Sequence, residues 1–585
     1  MKNTDEKPKS IWKKSWNLPG SFLGWLVLAT GLAFVVSLLA VIILDQWQWR
    51  ADWGIVIVGT VGGAIVALLL LFIRWLCCWR NFRRFLLGFA CFAVLIALFY
   101  AEEDWRGWHA WQKFKHEWEA KGEKFDFASF VPPSVPDDQN FAMTPIVFTG
   151  YGSMLTRAGK VIPYEQRDKN FIDRLKMAVA HNDDSPTNGT GIWQKSTVSD
   201  LKVWQEYYRA LAAKTNEFPV PSQPQSPAND VLLALSKYDS TIEELRQASQ
   251  MPYSRFPLNY DTACPAVILL PHLAAMKRCT LVLQLRAIAE LQNGQSEKAL
   301  GDVKLSLHLA DSIRTEPILI SHLVRVALVN ITLQPIWEGL AEHKWSDEQL
   351  VELDQELAKL DFLADYGVAM RGEQACSVKV IDWVRRTRKV SDIIGPYGDS
   401  AFKERITGLV SYLSPSGWFY QNQFRYCRYF TQWDLPLADV KRGIFSPALL
   451  RDADAALDLE IRHVSPYNKI ETMLLPAMSA CAKKFARDQE STDLARVACA
   501  LERYRLAHGE YPESLDALAP QFIAKLPHDI INGQPLHYRR TSDGQFVLYS
   551  VGWNEKDDGG VTGHRNGGSA PDFESGDWVW RYPAR

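Results

Sequence analysis

Several stretches of this chain gather side chains able to do chemistry. Asn554, Glu555, Asp557 and Asp558, with Asp572 and Asp577 further on, concentrate oxygen donors around Gly559-Gly560. His181-Asn182-Asp183-Asp184 and Glu460-Ile461-Arg462-His463 set an imidazole beside carboxylates, the groups used for proton transfer. Arg385, Arg386, Arg388 and Lys389 form a basic patch, and Trp418 to Trp433 is densely aromatic. None of these has the spacing of a known catalytic constellation. The chain has no GxSxG elbow, no GxxxxGK(S/T) loop and no HExxH pair, and Gly150-Tyr151-Gly152-Ser153 lacks the second flanking glycine of an elbow. Both histidine clusters therefore read as surface turns or helices. The basic patch reads as a solvated face, with anionic lipid or polymer as the alternative contact. The aromatic stretch reads as a buried helix, because large rings dominate burial energetics; the alternative is a ligand groove lined by Trp418, Tyr420 and Tyr426.

The elements that must position these groups begin with a membrane block, residues 1–101. Three apolar runs, 22–44, 53–73 and 85–101, are read as transmembrane helices, the last being short for a bilayer. Tryptophan is frequent, 22 in all, and many lie near the block, as rings that favour the headgroup layer do. Lys2, Lys7, Lys9, Lys13 and Lys14 precede the first run, and Arg74, Arg80, Arg83 and Arg84 separate the second from the third. These basic flanks predict a cytoplasmic N-terminus, with the large C-terminal part on the periplasmic or extracellular side. Gly59 and Gly63 form a small-xxx-small pair that suits helix packing within the chain, or a homodimer. With 65 basic and 67 acidic residues the net charge is -2, which argues against a dedicated nucleic-acid binder.

Residues 102–138 read as a juxtamembrane helix, with Trp105, Trp108, Trp111, Phe114 and Trp118 at helical spacing, followed by a proline-rich connector. Residues 139–465 read as a mainly helical ectodomain. A helix is expected over Tyr164–His181, a linker over Phe218–Asp230, and helical hairpins from about Pro265 to Val380. One helix–Gly turn–helix unit there resembles a tetratricopeptide-like hairpin, in a single copy. Ser346 and Gln349 form a capping box. Asn188-Gly189-Thr190 and Asn330-Ile331-Thr332 match glycosylation sequons. The cysteines have no zinc-type spacing, and those beyond the block are either buried thiols or bridges.

Residues 466–585 change character. A helix over about Asp493–His508 stops at Gly509, and Asn532-Gly533-Gln534-Pro535 leads into a strand Leu536–Arg540. Ser542-Asp543-Gly544 then turns the chain into a second strand, Gln545–Val551. This order, with His508-Gly509-Glu510-Tyr511-Pro512, Leu526-Pro527, Asp529, Gly533-Gln534-Pro535, Tyr538 and Tyr549-Ser550-Val551-Gly552, resembles the globular domain of the type II secretion pseudopilins, the major pseudopilin in particular. The resemblance implies a small α+β module with an antiparallel sheet. It also implies a Ca²⁺ site in the loop after the last main strand, here Asn554, Glu555, Asp557, Asp558 and Asp577, whose hard oxygens are what Ca²⁺ takes, although the spacing is not an EF-hand. Family members begin with a processed leader and one filament-packing helix. Here the module is C-terminal and no such signal is present, so the resemblance implies a borrowed fold.

The whole reads as a mainly α protein with three N-terminal transmembrane helices, a helical-hairpin ectodomain and a pseudopilin-like end. The expected function is membrane-anchored display of a binding or scaffolding surface to envelope or secretion-related proteins. The alternative is a hydrolase acting on envelope polymers.

Overall fold

The computed structural model describes residues 31–36, 53–77, 79–168, 170, 172–181, 185–186, 189–390, 408–564 and 571–583. The chain divides into two units, Met1–Glu102 and Glu103–Arg585. In the first, residues 31–36 are helical, and the rest of the first apolar run lies outside the described residues. Helix α1, Trp53–Leu76, covers the second run. Helix α2, Trp79–Ala120, is uninterrupted and joins the third run to the expected juxtamembrane helix. Its apolar window carries no buried residue, whereas further on Glu103, Gly107, Trp111 and Phe114 are buried at helical spacing. The aromatic stripe is thereby split, because Trp105 and Trp108 stay exposed.

Among the described residues, two helices are long and apolar enough to cross a membrane, not the three expected: α2 and Leu319–Ala341. The second is a core helix, with 67% of its apolar window buried. Burial in protein and burial in lipid select the same apolar composition, so only surroundings separate the two.

The large unit is mainly helical. Helix α3, Leu201–Ala212, is capped by Asp200, and α4, Pro227–Leu235, by Ser226. The expected linker thus ends earlier, at Ser226, and it is packed: Phe218 is buried against Tyr208, with ring centroids 4.9 Å apart. Among the described residues of the helix expected over Tyr164–His181, none is α-helical; Tyr164–Gln166 makes a 3-10 turn. Asp168 Oδ1 accepts from Asn170 N at 2.9 Å and Asp173 Oδ1 from Leu175 N at 3.0 Å, local bonds that compete with helical ones. Leu175 and Met177 reach the core without it.

Helix α5, Asp239–Ala248, precedes a hairpin of α6, Pro271–Gln292, and α7, Ser296–Asp311, whose turn holds Gly294 at φ +73. Helix α8, Leu319–Ala341, packs on both. Helix α9, Asp347–Leu357, starts at the anticipated capping box: Ser346 Oγ accepts from Gln349 N at 3.3 Å and Gln349 Oε1 from Ser346 N at 3.0 Å. Then follow α10, Phe362–Thr387, α11, Ser416–Tyr429, α12, Pro447–Arg462, and α13, Lys469–Leu474. The Asn330 sequon lies within α8 with Thr332 buried, and Asn188 lies outside the described residues. Among the described residues, the cysteines of the large unit are buried or half-buried.

The C-terminal elements are not set apart from the helical ones. Helix α14, Met478–His508, is far longer than expected, and α8, α9 and α10 pack along it. It ends at Gly509, φ +86, a left-handed stop that suits glycine. A three-stranded antiparallel sheet in the order β3-β4-β7 (His537–Arg540, Phe546–Ser550, Trp578–Arg581) packs against it. Strands β5, Thr562–His564, and β6, Pro571–Gly576, make a separate pair, as do β1, Ala438–Asp439, and β2, Ile444–Phe445. A single buried cluster extends from Trp111 to Tyr582, so residues 466–585 share their core with the helical region.

Candidate functional site

The acidic loop follows β4. Asp577, just ahead of β7, is 1% exposed and accepts from Gly560 N at 2.6 Å and Asp558 N at 3.2 Å. Asp557 Oδ1 accepts from Tyr549 OH at 3.0 Å and Gly559 N at 2.9 Å, which holds its carboxyl below the usual range. Asn554 donates to Asp558 Oδ2 at 2.8 Å, and Glu555 pairs with Arg451 at 2.5 Å. Asp572 caps its own strand, accepting from Glu574 N and Ser575 Oγ. The loop's oxygens thus accept from backbone amides, neutral side-chain donors and Arg451. Among the described residues no group of three or more His, Cys, Asp or Glu side chains is arranged to hold a metal ion. In this arrangement the described side chains close a turn through bonds within the loop.

The larger concavity lies elsewhere. An open cleft of about 330 Å³ is bordered by the middle of α14, the start of α10, the β1–β2 hairpin and the loop 524–530. Its polar walls are Asp361, Gln489, Asp493, Arg496, Lys525 and His528. Gln489 ties the wall together, donating to Asp493 Oδ2 at 2.9 Å and accepting from Phe362 N at 2.7 Å. Arg496 lies 3.5 Å from Asp493 and donates to Asp354 at 2.9 Å. Burial raises the Asp493 carboxyl against the lowering effects of Gln489 and Arg496. His528 Nε2 meets the Gly443 carbonyl at 3.2 Å, a contact that requires the proton on Nε2. Behind the wall, Glu490 Oε2 accepts from Ile530 N at 3.0 Å, while Asp529 accepts from Ile531 N at 2.8 Å and Val551 N at 2.9 Å. Burial beside Asp529 and Asp493 pushes the Glu490 carboxyl well up.

A second polar cluster is fully enclosed. His272, Glu316, Ser321 and His322 are each at most 1% exposed. His272 Nε2 lies 2.8 Å from Glu316 Oε1, off the hydrogen-bonding direction. Ser321 Oγ donates to Glu316 Oε2, and His322 Nε2 bonds the Glu316 carbonyl at 2.9 Å. The order is Ser–Glu–His. A nucleophilic triad needs the imidazole between hydroxyl and carboxylate, to take the hydroxyl proton. Here the carboxylate occupies the middle, and the cluster does not have that chemistry.

The remaining sequence candidates have structural roles. The aromatic stretch forms α11 and a π turn, Phe430–Asp434, with Tyr426, Cys427 and Phe430 fully buried. Tyr426 accepts from Ser377 Oγ at 3.0 Å, and Trp418 donates to Glu103 at 3.0 Å. This stretch is core and does not line the cleft. The Glu460 carboxylate is bound by Arg425 at 2.9 Å and Asn468 at 2.9 Å. His181 meets Glu217, and Asn182 to Asp184 lie outside the described residues. Arg385 pairs with Asp382 at 2.7 Å, and Arg388 donates to the Ser414 carbonyl at 2.9 Å. The cleft itself escaped sequence reasoning. Its available signal was the polar run Asp488-Gln489-Glu490-Ser491-Thr492-Asp493 inside an otherwise Ala- and Leu-rich helix. No family model, curated protein or solved structure matches the chain.

Proposed function

We propose that this protein is a membrane-anchored envelope protein whose large unit serves as a binding or scaffolding surface, linked to secretion through its pseudopilin-like end. The carrying observation is α2, one uninterrupted helix that is apolar and exposed at its start and contributes Glu103, Gly107, Trp111 and Phe114 to the folded unit beyond. A helix of that composition partitions into lipid over its first half. The charge bias of the flanks supports an N-terminus in the cytoplasm and display on the opposite side. The order of α14, loop, hairpin and a closing strand β7 supports the pseudopilin-like reading. A scaffolding role is supported by the openness of the cleft, in whose wall Gln489, Asp493 and Arg496 are held to one another.

The test is purification of the full chain from chemically crosslinked membranes, beside a Lys525→Glu variant altered in the cleft wall. Envelope partners recovered with the parent and depleted with the variant are the expected result. Turnover of an envelope polymer that Asp493→Asn abolishes would overturn the reading in favour of the hydrolase.

A further inference from the structure

Residues 408–413 form a helical segment whose polarity is inverted. Leu409, Val410 and Tyr412 face outward at 58%, 57% and 73% exposure, while Ser411 and Ser414 are buried. The segment is held this way round: Ser414 Oγ donates to the Val410 carbonyl at 2.7 Å, and Arg388 donates to the Ser414 carbonyl at 2.9 Å and to Ser416 Oγ at 3.0 Å. An element facing water gains by turning such side chains inward, so an outward apolar face with inward serines fits an apolar medium outside.

Two further observations say which medium. The first is continuity with the membrane segment. Immediately after 408–413, Gly417 N donates to Asp104 Oδ1 at 2.7 Å, and Trp418 Nε1 donates to Glu103 Oε2 at 3.0 Å. Tyr467 OH donates to the other Glu103 oxygen at 3.0 Å. Glu103 follows the third apolar run, 85–101, within one helical turn. Trp105 and Trp108, exposed on the same helix, are rings that favour the headgroup layer. The second is charge. Arg386 on the neighbouring end of α10 and Lys389 just past it are exposed, as is Lys469 on the segment that packs against Trp418. Cations flanking an apolar face match the anionic surface of a bilayer.

We propose that Leu409, Val410 and Tyr412, with Arg386 and Lys389, form a second membrane contact that lies in the headgroup layer and binds anionic phospholipid. This rests on the membrane-anchored reading, and the experiment separates the two. The full chain, with Cys77, Cys78 and Cys91 replaced by serine, is reconstituted in nanodiscs of phosphatidylcholine with phosphatidylglycerol. An environment-sensitive thiol dye is attached at Leu409→Cys, at Trp105→Cys or at Ser542→Cys, and quenching by lipid-borne spin label is read. Quenching at 409 and 105 but not at 542 is expected. Quenching at 105 without 409 overturns the second contact and leaves the anchor standing; loss at both overturns the anchor as well. Adding Arg386→Gln and Lys389→Gln is expected to reduce quenching at 409 while leaving 105 unchanged. Equal quenching at 409 with and without those charges, or in phosphatidylcholine alone, overturns the anionic preference.

Discussion

Asp577 shows how a carboxylate that looks like a metal ligand can be a backbone cap. It is buried and holds the amides of Asp558 and Gly560. Removing a buried acceptor leaves such donors unsatisfied, at about 1–3 kcal/mol. Asp577→Ala is therefore expected to lower stability by about 2 kcal/mol in denaturant titrations, and thermal midpoints with Ca²⁺ and with chelator are expected to coincide. A midpoint raised by Ca²⁺ would restore the cation site that the family resemblance implies. Asp488 makes a second residue-scale case. Both its oxygens are buried without a hydrogen-bond partner, and burial pushes its carboxyl up to about 7 from 3.8. The folded state thus holds its proton more tightly than the unfolded state. The associated stability is present in full below about pH 4 and is lost as the pH rises through about 7. Asp488→Asn is expected to flatten that fall, which denaturant titrations at acidic and mildly alkaline pH would show as a smaller difference. An unchanged slope would mean that other buried carboxyls, such as Asp434 and Glu471, set the dependence.

At the scale of elements, two glycines set how closely α2 and α11 cross. A Cβ on Gly417 would lie 1.9 Å from the Glu103 carbonyl oxygen, and one on Gly107 would lie 2.1 Å from the Gly417 carbonyl oxygen. Backbone cannot yield as a flexible side chain does, so Gly417→Val must push the helices apart. We expect a loss of about 1–3 kcal/mol, the usual range for overpacking, and faster proteolysis of the full chain near residues 408–418; wild-type protection would refute the close crossing. Several elements were legible in advance because their cause is local: the Ser346–Gln349 capping box, the Gly294 and Gly509 stops, and the hairpin at Ser542-Asp543-Gly544. The Tyr164–His181 helix failed for an equally local reason, since aspartates at 168 and 173 take the amides a helix would need. Helix α14 was underestimated because its first half is polar by sequence, and only the packing of α8, α9 and α10 makes those residues interior.

Across the whole molecule, the C-terminal sheet is built into the helical core. Trp580 is fully buried, with its ring 5.1 Å from Trp193, and Trp337 Nε1 donates to the Arg581 carbonyl at 3.1 Å. A single core shared in this way predicts a single cooperative transition for the large unit. Trp580→Ala, which removes a large buried ring at about 3–5 kcal/mol, is expected to shift that whole transition in calorimetry of the full chain. A separate early peak, with the helical part unmoved, would instead show an independent C-terminal module.

The sequence by itself determined what depends on composition and on neighbours along the chain: apolar runs long enough for lipid, caps and turns, a mainly helical middle and a terminal hairpin. It also ruled out the familiar catalytic motifs, because those are read as fixed spacings. Tertiary structure alone decided which apolar helix is interior, since α2 and α8 satisfy the same composition and differ only in what surrounds them. It likewise decided that the aromatic stretch is core, that the acidic loop caps amides, and that Gln489, Asp493 and Arg496 share a cleft with His528. Those outcomes turn on contacts between residues far apart in the chain. Burial, and the desolvation that shifts a carboxyl's proton affinity, exists only once such contacts form.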